Sequence, residues 1–495
     1  VRILTSPART TGGLPRPHAA AIVAADAVVR WAVGCGYDVE WVAGILAGDL
    51  SGQYAAEREL AREGSDRATL GREQFAERAR AVEAADRQRA ADLLGSLGTA
   101  DFRHDSPLDD EHVVRAARIA FVRLYEAGLL ERAERVVAEC PRCATVVDDV
   151  DAEPGELEAE RLTVRFRSAD GTVALGVEMI ALELLPGVSA VLVPRDHPAA
   201  GGEVEVPVGG HTVAVVADES VDHPRAVVAG HDAEAFEVAR QLGLAAVAVL
   251  DGEAVVTVAG PLFGLGRYAA RAAAMELLAA EDDIIDRTAG TEACARCRRC
   301  GTVVVPRLGW HWFLPMADLE VAAADAVREG EVDFAPPAAR DAFLARAGQG
   351  QQWCLSHQVW SGYAVPAGQC VDCNQVEVAV ELPSSCRKCM GELVAADDVL
   401  DARFLGAVWP LAIAGWPDDE DAPRAAAAIT TLLLGPTGLA KWAVPMAALG
   451  VRLAAAVPFT RLSVHPGLVS AAPDDGVADL LDTDDRRTAR LALLT

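Results

Sequence analysis

The sequence is poor in lysine, and this scarcity limits the phosphate chemistry open to the protein. Of its 45 basic residues, only Lys388 and Lys441 are lysine. Contacts to phosphate groups must therefore come from arginine, from backbone amides or from these two side chains. The formal net charge of −28 also argues against a large nucleic-acid footprint, because binding along a phosphate backbone needs clustered basic residues.

Long apolar runs and a leader-like beginning are missing as well. No stretch of about 18 residues is both apolar and uncharged, so the sequence predicts no membrane-spanning helix and no membrane partner. No basic segment is followed by an apolar one near the start, so we expect no secretory signal and a cytoplasmic protein. Hydrophobic residues make up 51% of the 495 residues, which is enough for the cores of about two to four domains.

The eleven cysteines are spaced for metal binding rather than for disulfide bonds. Eight of them form four C-x-x-C pairs: Cys140/Cys143, Cys297/Cys300, Cys370/Cys373 and Cys386/Cys389. Each pair supplies two corners of a tetrahedron, so two pairs together make a closed structural zinc site. The last two pairs lie in one compact ribbon and predict one site. The first two pairs predict a second site if the segment between them leaves and returns as an inserted domain does.

Two structural zinc ions are therefore expected, and three cysteines are left over. Cys294, next to the second pair, is interpreted as the spare thiol of that group. Cys35 and Cys354 are expected to be ordinary buried thiols.

The pattern of apolar residues predicts an α/β core that is interrupted by a mainly β insert. The first residues predict a βαβ opening, with a helix at 19–32 and a strand at 37–42. Residues 52–138 have helical periodicity. From 155 to 260, short β-branched runs alternate with Gly, Pro and Asp, and one helix is expected at 232–242.

These patterns predict four successive regions. Residues 1–150 form the first half of the core with the first zinc pair, and residues 151–285 form the inserted domain. Residues 286–395 hold the zinc-binding modules and the return to the core, and residues 396–495 form the second half of the core.

The stretch "TSPARTTGGLPRPHAAAI", residues 5–22, combines a strand, a glycine turn and the start of a helix. This combination can hold phosphate, because free amides and the helix dipole face the anion. Pro15 and Pro17 stand where amide donors would be expected, and no lysine is near.

Five longer stretches, taken in order, resemble class I aminoacyl-tRNA synthetases of the valyl branch. They are "FVRLYEAGLLERAERVVAECPRC", "RRCGTVVVPRLGWHWFLPMADL", "WCLSHQVWSGYAVPAGQCVDC", "DDVLDARFLGAVWPLAIAGWP" and "VPFTRLSVHPGLV". The resemblance implies a Rossmann-like core split by an editing domain, with ATP, magnesium and an amino acid as ligands. It also implies an anticodon-binding domain, which we expect to be absent because "TARLALLT" ends where the family's catalytic region gives way to it.

The first departure from the family lies in the adenylate loop, which reads Thr-Gly-x-Leu-His-x-Gly-His in the family. Here a histidine is replaced by Pro15 and a glycine by Pro17, so a phosphate donor and a close backbone approach are lost. The resemblance leaves a remnant nucleotide site, whose candidate residues are Thr11, Gly12, Arg16, His18 and, from the end of the chain, His465.

The second departure lies in the family's Gly-Thr-Asp-His-Ala-Gly segment, whose acid contacts the substrate ammonium. Both polar positions are apolar in the corresponding stretch, residues 44–49, which begins Gly-Ile-Leu. Asp49 could take over the contact only if the loop is rebuilt. Pro7 and Asp49 are the amino-acid-binding candidates that the resemblance implies.

The third departure is the family's Lys-Met-Ser-Lys-Ser loop, which should follow "HPGLV". The chain has "SAAPDDGVADLLDTDD" there, with no lysine and several aspartates. Losing one donor that neutralises a developing anion costs on the order of 3 kcal/mol, and several are lost together. A normal rate of valine adenylation is therefore not expected.

The insert also departs from the family. Asp232 has the position of the editing residue that contacts the amino group of a mischarged amino acid, while its plain alternative is a helix N-cap. The strand that should face it is replaced by "GVEMIALELLPG", so hydrolytic editing is not expected. His311, between two tryptophans, is interpreted as a packing residue.

Three functional hypotheses stay open. In the first, valine adenylation and tRNA charging are lost or repurposed towards binding of an amino acid and a nucleotide, or towards small-molecule biosynthesis. In the second, the protein is a pseudoenzyme that serves as a scaffold or regulator. In the third, it is a genuine ATP-dependent valine–tRNA ligase that needs a protein partner to hold tRNA.

Overall fold

The computed structural model describes most of the chain. The described residues are 1–8, 16–46, 48–96, 99, 110–148, 151–350, 352–419 and 429–465, with no side-chain description for 8, 16 and 17. The chain divides into two compact units. Unit 1 is Val1–Glu131 together with Trp312–Thr495, and unit 2 is Arg132–His311.

The N-terminal part of unit 1 alternates two strands with helices and then continues as helices. Its elements are β1 (Arg2–Ala8), α1 (Arg16–Gly34), β2 (Glu40–Ile45), α2 (Leu50–Arg62), α3 (Arg67–Leu70), α4 (Arg72–Ser96) and α5 (Glu111–Glu126).

The middle of the chain is mainly β. Its elements are β3 (Glu131–Cys140), β4 (Thr145–Val146), β5 (Ala152–Arg167), β6 (Ala174–Met179), a 3₁₀ helix (Leu182–Gly187), β7 (Ala190–Val193), β8 (Glu203–Val206), β9 (His211–Ala217), β10 (Arg225–Val227), α6 (Ala233–Leu242), α7 (Arg267–Ala280), β11 (Ile284–Cys297) and β12 (Val305–Pro315).

The remainder of unit 1 mixes helices with short strands. Its elements are α8 (Ala317–Arg328), β13 (Asp333–Ala335), α9 (Ala338–Arg346), β14 (Gln352–Cys354), β15 (Ser356–His357), β16 (Ala367–Cys370), β17 (Val376–Val378), β18 (Leu393–Ala395), β19 (Val399–Leu400), α10 (Ala402–Ala414), β20 (Thr431–Leu434), a π-helical turn (Leu439–Ala443), α11 (Val444–Ala454) and β21 (Arg461–Val464). No helix in the described residues is long and apolar enough to cross a membrane.

A parallel five-stranded sheet organises unit 1, with strand order β13-β21-β20-β1-β2. Strand β1 pairs with β2 on one side, where Ile3 faces Trp41, and with β20 on the other, where Thr5 faces Leu433. The β1–β2 register shifts between Thr5 and Ala8. Pro7 lies in that interval, and its missing N–H explains why regular pairing stops there.

Helices cover both faces of this sheet, as expected for a parallel sheet. On one face, Ile3 and Trp41 pack with apolar residues of α1 and α4, such as Val23 and Leu94. On the other face, a larger cluster joins Leu4, Val42 and Leu432 to α5, α8, α10 and α11. The α/β fold class is therefore confirmed for the core.

Unit 2 is built on a seven-stranded sheet in the order β10-β7-β9-β8-β5-β11, with β6 also paired to β5. Strands β5 and β11 form a long antiparallel ribbon whose register runs from Asp286/Thr163 to Cys297/Ala152. The ribbon brings the end of the insert back beside its beginning, as the pairing of distant cysteines requires.

Unit 2, Arg132–His311, extends beyond residues 151–285 at both ends and includes both cysteine pairs of the first cluster. The domain limits expected at 1–150, 151–285, 286–395 and 396–495 stay predictions.

Three local predictions concern helix α1, the end of α5 and two of the cysteines. The expected helix at 19–32 is α1, which starts three residues earlier because Pro17 is well tolerated in a first helical turn. The prediction of helical structure up to residue 138 is wrong beyond α5. Gly128 adopts a left-handed φ of 70° after this helix, and strand β3 follows. Cys35 is exposed rather than buried, whereas Cys354 is buried as expected.

Candidate functional site

The carboxyl ends of the parallel strands in unit 1 meet at one edge of the sheet, here called the carboxyl edge. The chain leaves β1 towards α1 and β2 on one side, while β20 lies on the other side of β1. Ligands of open α/β sheets bind in the crevice at such a change of direction. The carboxyl edge near β1 and β20 is therefore the candidate site.

The remnant nucleotide residues are only partly described. Thr11 and Gly12 lie outside the described residues, and Arg16 begins α1 without a described side chain. His18 is half-buried in the first turn of α1, which follows β1. Pro17 offers no amide, so this helix start presents fewer donors to a phosphate than an ordinary one.

His465 directly follows β21 and reaches the carboxyl edge. Its backbone N–H donates to the carbonyl of Leu434 at 3.1 Å. A Cβ placed on Gly435 would lie 3.5 Å from the imidazole, so the ring packs over this glycine just beyond β20. The structure thus puts His18 and His465 on elements that end or begin at the same edge.

The amino-acid-binding candidates occupy ordinary structural positions. Pro7 is buried within β1. The carboxylate of Asp49 caps α2, accepting hydrogen bonds from the amides of Ser51 at 2.9 Å and Gly52 at 3.1 Å. A contact of either residue with an amino acid stays a prediction.

The end of β2 is apolar and tightly packed. Ile45 and Leu46 are buried, at 8% and 4% exposure. A Cβ on Gly44 would lie 2.8 Å from the ring of Trp409, which is fully buried. The two positions at which the resembled motif is polar, Ile45 and Leu46, therefore belong to the core.

One acid at this edge was missed by sequence reasoning. Glu83 of α4 is only 6% exposed, and its Oε1 accepts a hydrogen bond from the amide of Gly48 at 3.0 Å. The sequence does carry a pattern that marks this residue, because Phe75, Ala79 and Val82 place Glu83 on the apolar face of α4. An acid on such a face calls for a partner.

A second buried acid, Asp401, lies before α10. Its Oδ2 accepts from the indole N–H of Trp353 at 2.7 Å and from Arg403 Nε at 3.0 Å, while Oδ1 accepts from the Arg403 amide. Burial acts to raise the pKa of Asp401, but the charges of Arg403 and His357 outweigh it and hold that pKa below its usual value. Asp401 is thus a buried carboxylate that fixes Arg403 and Trp353.

The first cysteine cluster forms within unit 2. Cys140, Cys143, Cys297 and Cys300 place their sulfurs within 4.8 Å of one another. Cys300 Sγ lies 3.4 Å from Cys140 Sγ and 3.7 Å from Cys143 Sγ. Sulfurs around tetrahedral zinc lie about 3.8 Å apart, so these thiols fit a zinc ion. The two distant pairs thus come together in one cluster, from which Cys294 stands apart, and their sharing of a zinc ion stays a prediction.

Next to this cluster, Glu139 holds a buried ion pair. Arg307 donates to both of its carboxylate oxygens at 2.7 Å, and His311 Nε2 lies 3.6 Å from Oε1. Burial acts to raise the pKa of Glu139, but hydrogen bonds from His311 and Arg307 hold it below its usual value. His311 therefore packs as predicted, against an acid that directly precedes the cluster residue Cys140.

The second cysteine cluster lies in the short sheet of β16, β17 and β18. Cys370, Cys373, Cys386 and Cys389 also place their sulfurs within 4.8 Å, with Cys389 Sγ 3.4 Å from both Cys370 and Cys373. The buried carboxylate of Glu377 accepts from the Arg387 amide at 3.0 Å and so supports the second pair. This cluster also fits a structural zinc ion.

All four C-x-x-C turns share one backbone feature. The residue after the second cysteine has a left-handed φ in every case: Ala144 at 50°, Gly301 at 70°, Asn374 at 57° and Met390 at 61°. Glycine and asparagine suit this conformation, whereas alanine and methionine do not. All four turns therefore end in the same backbone conformation.

The editing candidate Asp232 is the N-cap of α6. Its Oδ1 accepts from the Ala235 amide at 2.9 Å. The preceding His231 is buried, with Nδ1 2.7 Å from the Pro306 carbonyl and Nε2 accepting from the Val249 amide at 2.9 Å. Burial lowers the pKa of His231, so the ring is neutral and structural. An editing role for Asp232 stays a prediction.

Comparisons with known proteins agree with the resemblance seen in the sequence. The family model "tRNA synthetases class I (I, L, M and V)" matches residues 2–476. The chain is 32% identical to the valine–tRNA ligase of Carboxydothermus hydrogenoformans over 485 residues, and 32% identical to that of Geobacter sulfurreducens over 477 residues. Both alignments cover 94% of this chain and 54% of the relative. The chain thus spans about half the length of these curated relatives.

A solved structure shows the same fold. Methionyl-tRNA synthetase of Mycobacterium tuberculosis, bound by methionyl-adenylate, superposes with a TM-score of 0.51 at 12% sequence identity. The match covers 99% of this chain and 63% of the other.

Proposed function

We propose, since this chain belongs to the tRNA synthetases class I (I, L, M and V), that unit 1 binds an amino acid and a nucleotide at its carboxyl edge but does not activate valine at a synthetase's rate. The observation that carries this proposal is the apolar end of β2. Ile45 and Leu46 are packed into the core, and the carboxylate of Asp49 accepts hydrogen bonds from backbone amides as the N-cap of α2.

Support for ligand binding comes from the frame of the site. The parallel sheet, the change of direction beside β1, and the half-buried His18 in the first turn of α1 are retained. His465 stands at the same edge over Gly435, where a glycine leaves room for a ring. ATP with its magnesium would meet imidazole and backbone donors here rather than lysine.

Support for the loss of activation comes from charge. The chain has no lysine after Lys441 that could neutralise departing pyrophosphate. Each missing donor of this kind costs on the order of 3 kcal/mol in the transition state, or about a hundredfold in rate. Two or more such losses remove most of a synthetase's rate while leaving ground-state binding of ATP available.

The zinc clusters would serve the fold in this proposal. Four thiolates close the coordination shell, so neither metal offers a position to a substrate. Zinc would hold the two ends of unit 2 together through Cys140, Cys143, Cys297 and Cys300, and would shape the ribbon through Cys370, Cys373, Cys386 and Cys389.

ATP–pyrophosphate exchange with each of the twenty standard amino acids, together with ATP calorimetry, tests the proposal. We expect ATP binding without valine-dependent exchange. His465→Ala should weaken ATP binding, whereas His223→Ala, at an exposed site in unit 2, should leave it unchanged. Valine-dependent exchange at a synthetase's rate would contradict the proposal in favour of a genuine ligase. Absence of both ATP and amino acid binding would contradict it in favour of a scaffold.

A further inference from the structure

The two cysteine clusters share a set of four thiols but differ in how far their sulfurs are exposed. In the first cluster, three of the four cysteines are buried and the fourth is half-buried. In the second cluster, Cys370 and Cys386 are buried and Cys373 is half-buried, whereas Cys389 is exposed. A reagent in solution therefore reaches a cysteine of the second cluster more readily than one of the first.

The neighbours of Cys389 leave it open to solvent. Lys388 and Met390, on either side of it, are both exposed, and Met390 reaches 75% exposure. The side chain of Arg387 is 65% exposed, and Val371 in the other turn of the cluster is 56% exposed. Cys389 thus lies in an exposed part of the short sheet formed by β16, β17 and β18.

Local charge is similar at the two clusters. Each contains a C-x-x-C pair whose two inner residues are basic, Arg298 and Arg299 in the first and Arg387 and Lys388 in the second. Cations beside a thiol favour the thiolate, which is the form that reacts with oxidants. Because this factor is present at both clusters while exposure differs, the first cluster is an internal control for the second.

The exposed sulfur has a partner sulfur within reach. Cys389 Sγ lies 3.4 Å from Cys373 Sγ, and a disulfide bond is about 2.05 Å long, so an approach of about 1.4 Å joins them. Cys370 Sγ is equally near, but Cys370 is buried and paired with Leu393 in the sheet. Cys373 belongs to the turn after β16, so it is the partner that can move.

From this arrangement we propose that Cys389 and Cys373 form a redox modification site, at which hydrogen peroxide converts two zinc ligands into a disulfide. Cysteines that ligate zinc are thiolates. The Cys389 thiolate attacks peroxide, the O–O bond breaks, and a sulfenic acid and hydroxide form. The Cys373 thiolate then attacks the sulfenic sulfur, which forms the S–S bond and expels a second hydroxide. The two sulfurs lose two electrons to peroxide, and two protons from solvent turn both hydroxides into water.

This oxidation removes half of the ligand set of the second cluster. Cys370 and Cys386 alone remain, and two thiolates do not make the closed set of four that a structural zinc site needs. The turn of the second pair is tied to the cluster, since the Lys388 amide donates to Cys386 Sγ at 3.4 Å. Loss of zinc should loosen this turn and open Arg387 and Lys388 to trypsin.

Zinc release from the full chain in excess hydrogen peroxide, followed with a colorimetric zinc chelator, tests the proposal. Mass spectrometry of peptides identifies disulfides and methionine sulfoxide in the same samples, and limited proteolysis with trypsin reports the turn. None of these measurements depends on binding of ATP or an amino acid, so their outcome is separate from that of the proposed function.

Four variants separate the possible causes of zinc release. Cys389→His keeps a zinc ligand but cannot form a disulfide, and Cys300→His is the matched change at the least buried cysteine of the first cluster. Met390→Leu removes the exposed sulfur next to Cys389, and Cys35→Ser removes an exposed thiol outside both clusters. Zinc content is measured before treatment; if Cys389→His does not retain its zinc, the disulfide map of the wild-type protein decides.

We expect the wild-type protein to release one zinc ion at least about tenfold faster than the other. The fast phase should coincide with a disulfide between Cys373 and Cys389 and with tryptic cleavage after Arg387 or Lys388. A thiol reductant with added zinc should restore the site, because a disulfide is a reversible oxidation product.

Cys389→His should slow the fast phase about tenfold or more, whereas the other three variants should change it less than about twofold. Release of both zinc ions at one rate would overturn the proposal, as would a fast phase that is unchanged in Cys389→His. Fast release with methionine sulfoxide at Met390 and no disulfide between Cys373 and Cys389 would also overturn it, and so would a protein that holds no zinc before treatment.

Discussion

Replacing Asp401 by asparagine should destabilise unit 1 far more than removing a surface ion pair. Asp401 is 6% exposed, and its Oδ2 receives three donors: Trp353 Nε1, Arg403 Nε and Arg403 Nη2, at 2.7–3.0 Å. An asparagine can keep the cap of α10 through Oδ1, but it carries no charge. It presents to these donors either its NH2 group, which cannot accept a hydrogen bond, or its amide oxygen, which is a weaker acceptor than a carboxylate. Breaking a buried pair on one side costs about 3–5 kcal/mol, and we expect a loss in this range.

A matched control is available at the exposed pair between Asp418 and Arg115, where both side chains are about half exposed. Asp418→Asn should cost less than about 1 kcal/mol. Urea unfolding followed by circular dichroism at pH 7 measures both changes. If Asp401→Asn lost no more than Asp418→Asn, the view of Asp401 as a buried carboxylate that fixes Arg403 and Trp353 would be refuted.

The lowered pKa of Asp401 adds a pH dependence with a definite sign. A carboxylate whose pKa is lower in the folded state contributes stability above its unfolded pKa, about 4, and loses it as the pH falls through the folded value. The stability difference between wild type and Asp401→Asn should therefore be largest above pH 5 and shrink in acid. A difference that stays constant down to pH 2 would contradict this assignment.

The remaining predictions concern the metal clusters and the insert. Metal analysis should find about two zinc ions per chain. Removal of the metal with a chelator should expose eight titratable thiols and abolish cooperative unfolding. A metal-free protein that unfolds in the same way would contradict both sites. Met390→Gly should stabilise the protein by up to about 1 kcal/mol in chemical unfolding by relieving the left-handed φ, whereas Asn374→Gly should change little. Asp232→Ala should cost about 1 kcal/mol as a lost N-cap, and Asp232→Asn should restore most of it.

The sequence allowed those parts of the structure to be predicted whose physical requirements are local. A C-x-x-C turn determines the distance between its own thiols, and the return of the insert follows once two pairs must share a metal. The fold class followed from alternating apolar patterns and from the motif order. The helical pattern failed at Glu131–Cys140, since amphipathic helix and strand periods overlap in short segments and the chain turns at Gly128.

The candidate site was harder to predict because its parts come from different elements. Glu83 is far from Gly48 in sequence, and only the packing of α4 brings its carboxylate to the loop. The domain limits stay predictions, because compact unit 2, Arg132–His311, is defined by contacts between residues that are distant in sequence.

Asp49 and Glu83 are two acids beside the apolar end of β2, and each already accepts hydrogen bonds from backbone amides. The sequence favoured Asp49 as the acid that contacts an amino acid, but its carboxylate oxygens already accept hydrogen bonds from Ser51 and Gly52. A carboxylate committed to a helix cap gives up α2 if it turns to a ligand, at a cost of about 1 kcal/mol. Glu83 meets the same loop from a packed helix, where its Oε1 accepts a hydrogen bond from the Gly48 amide. The stability of α2 should therefore follow Asp49, and Asp49→Ala should lower it by about 1 kcal/mol.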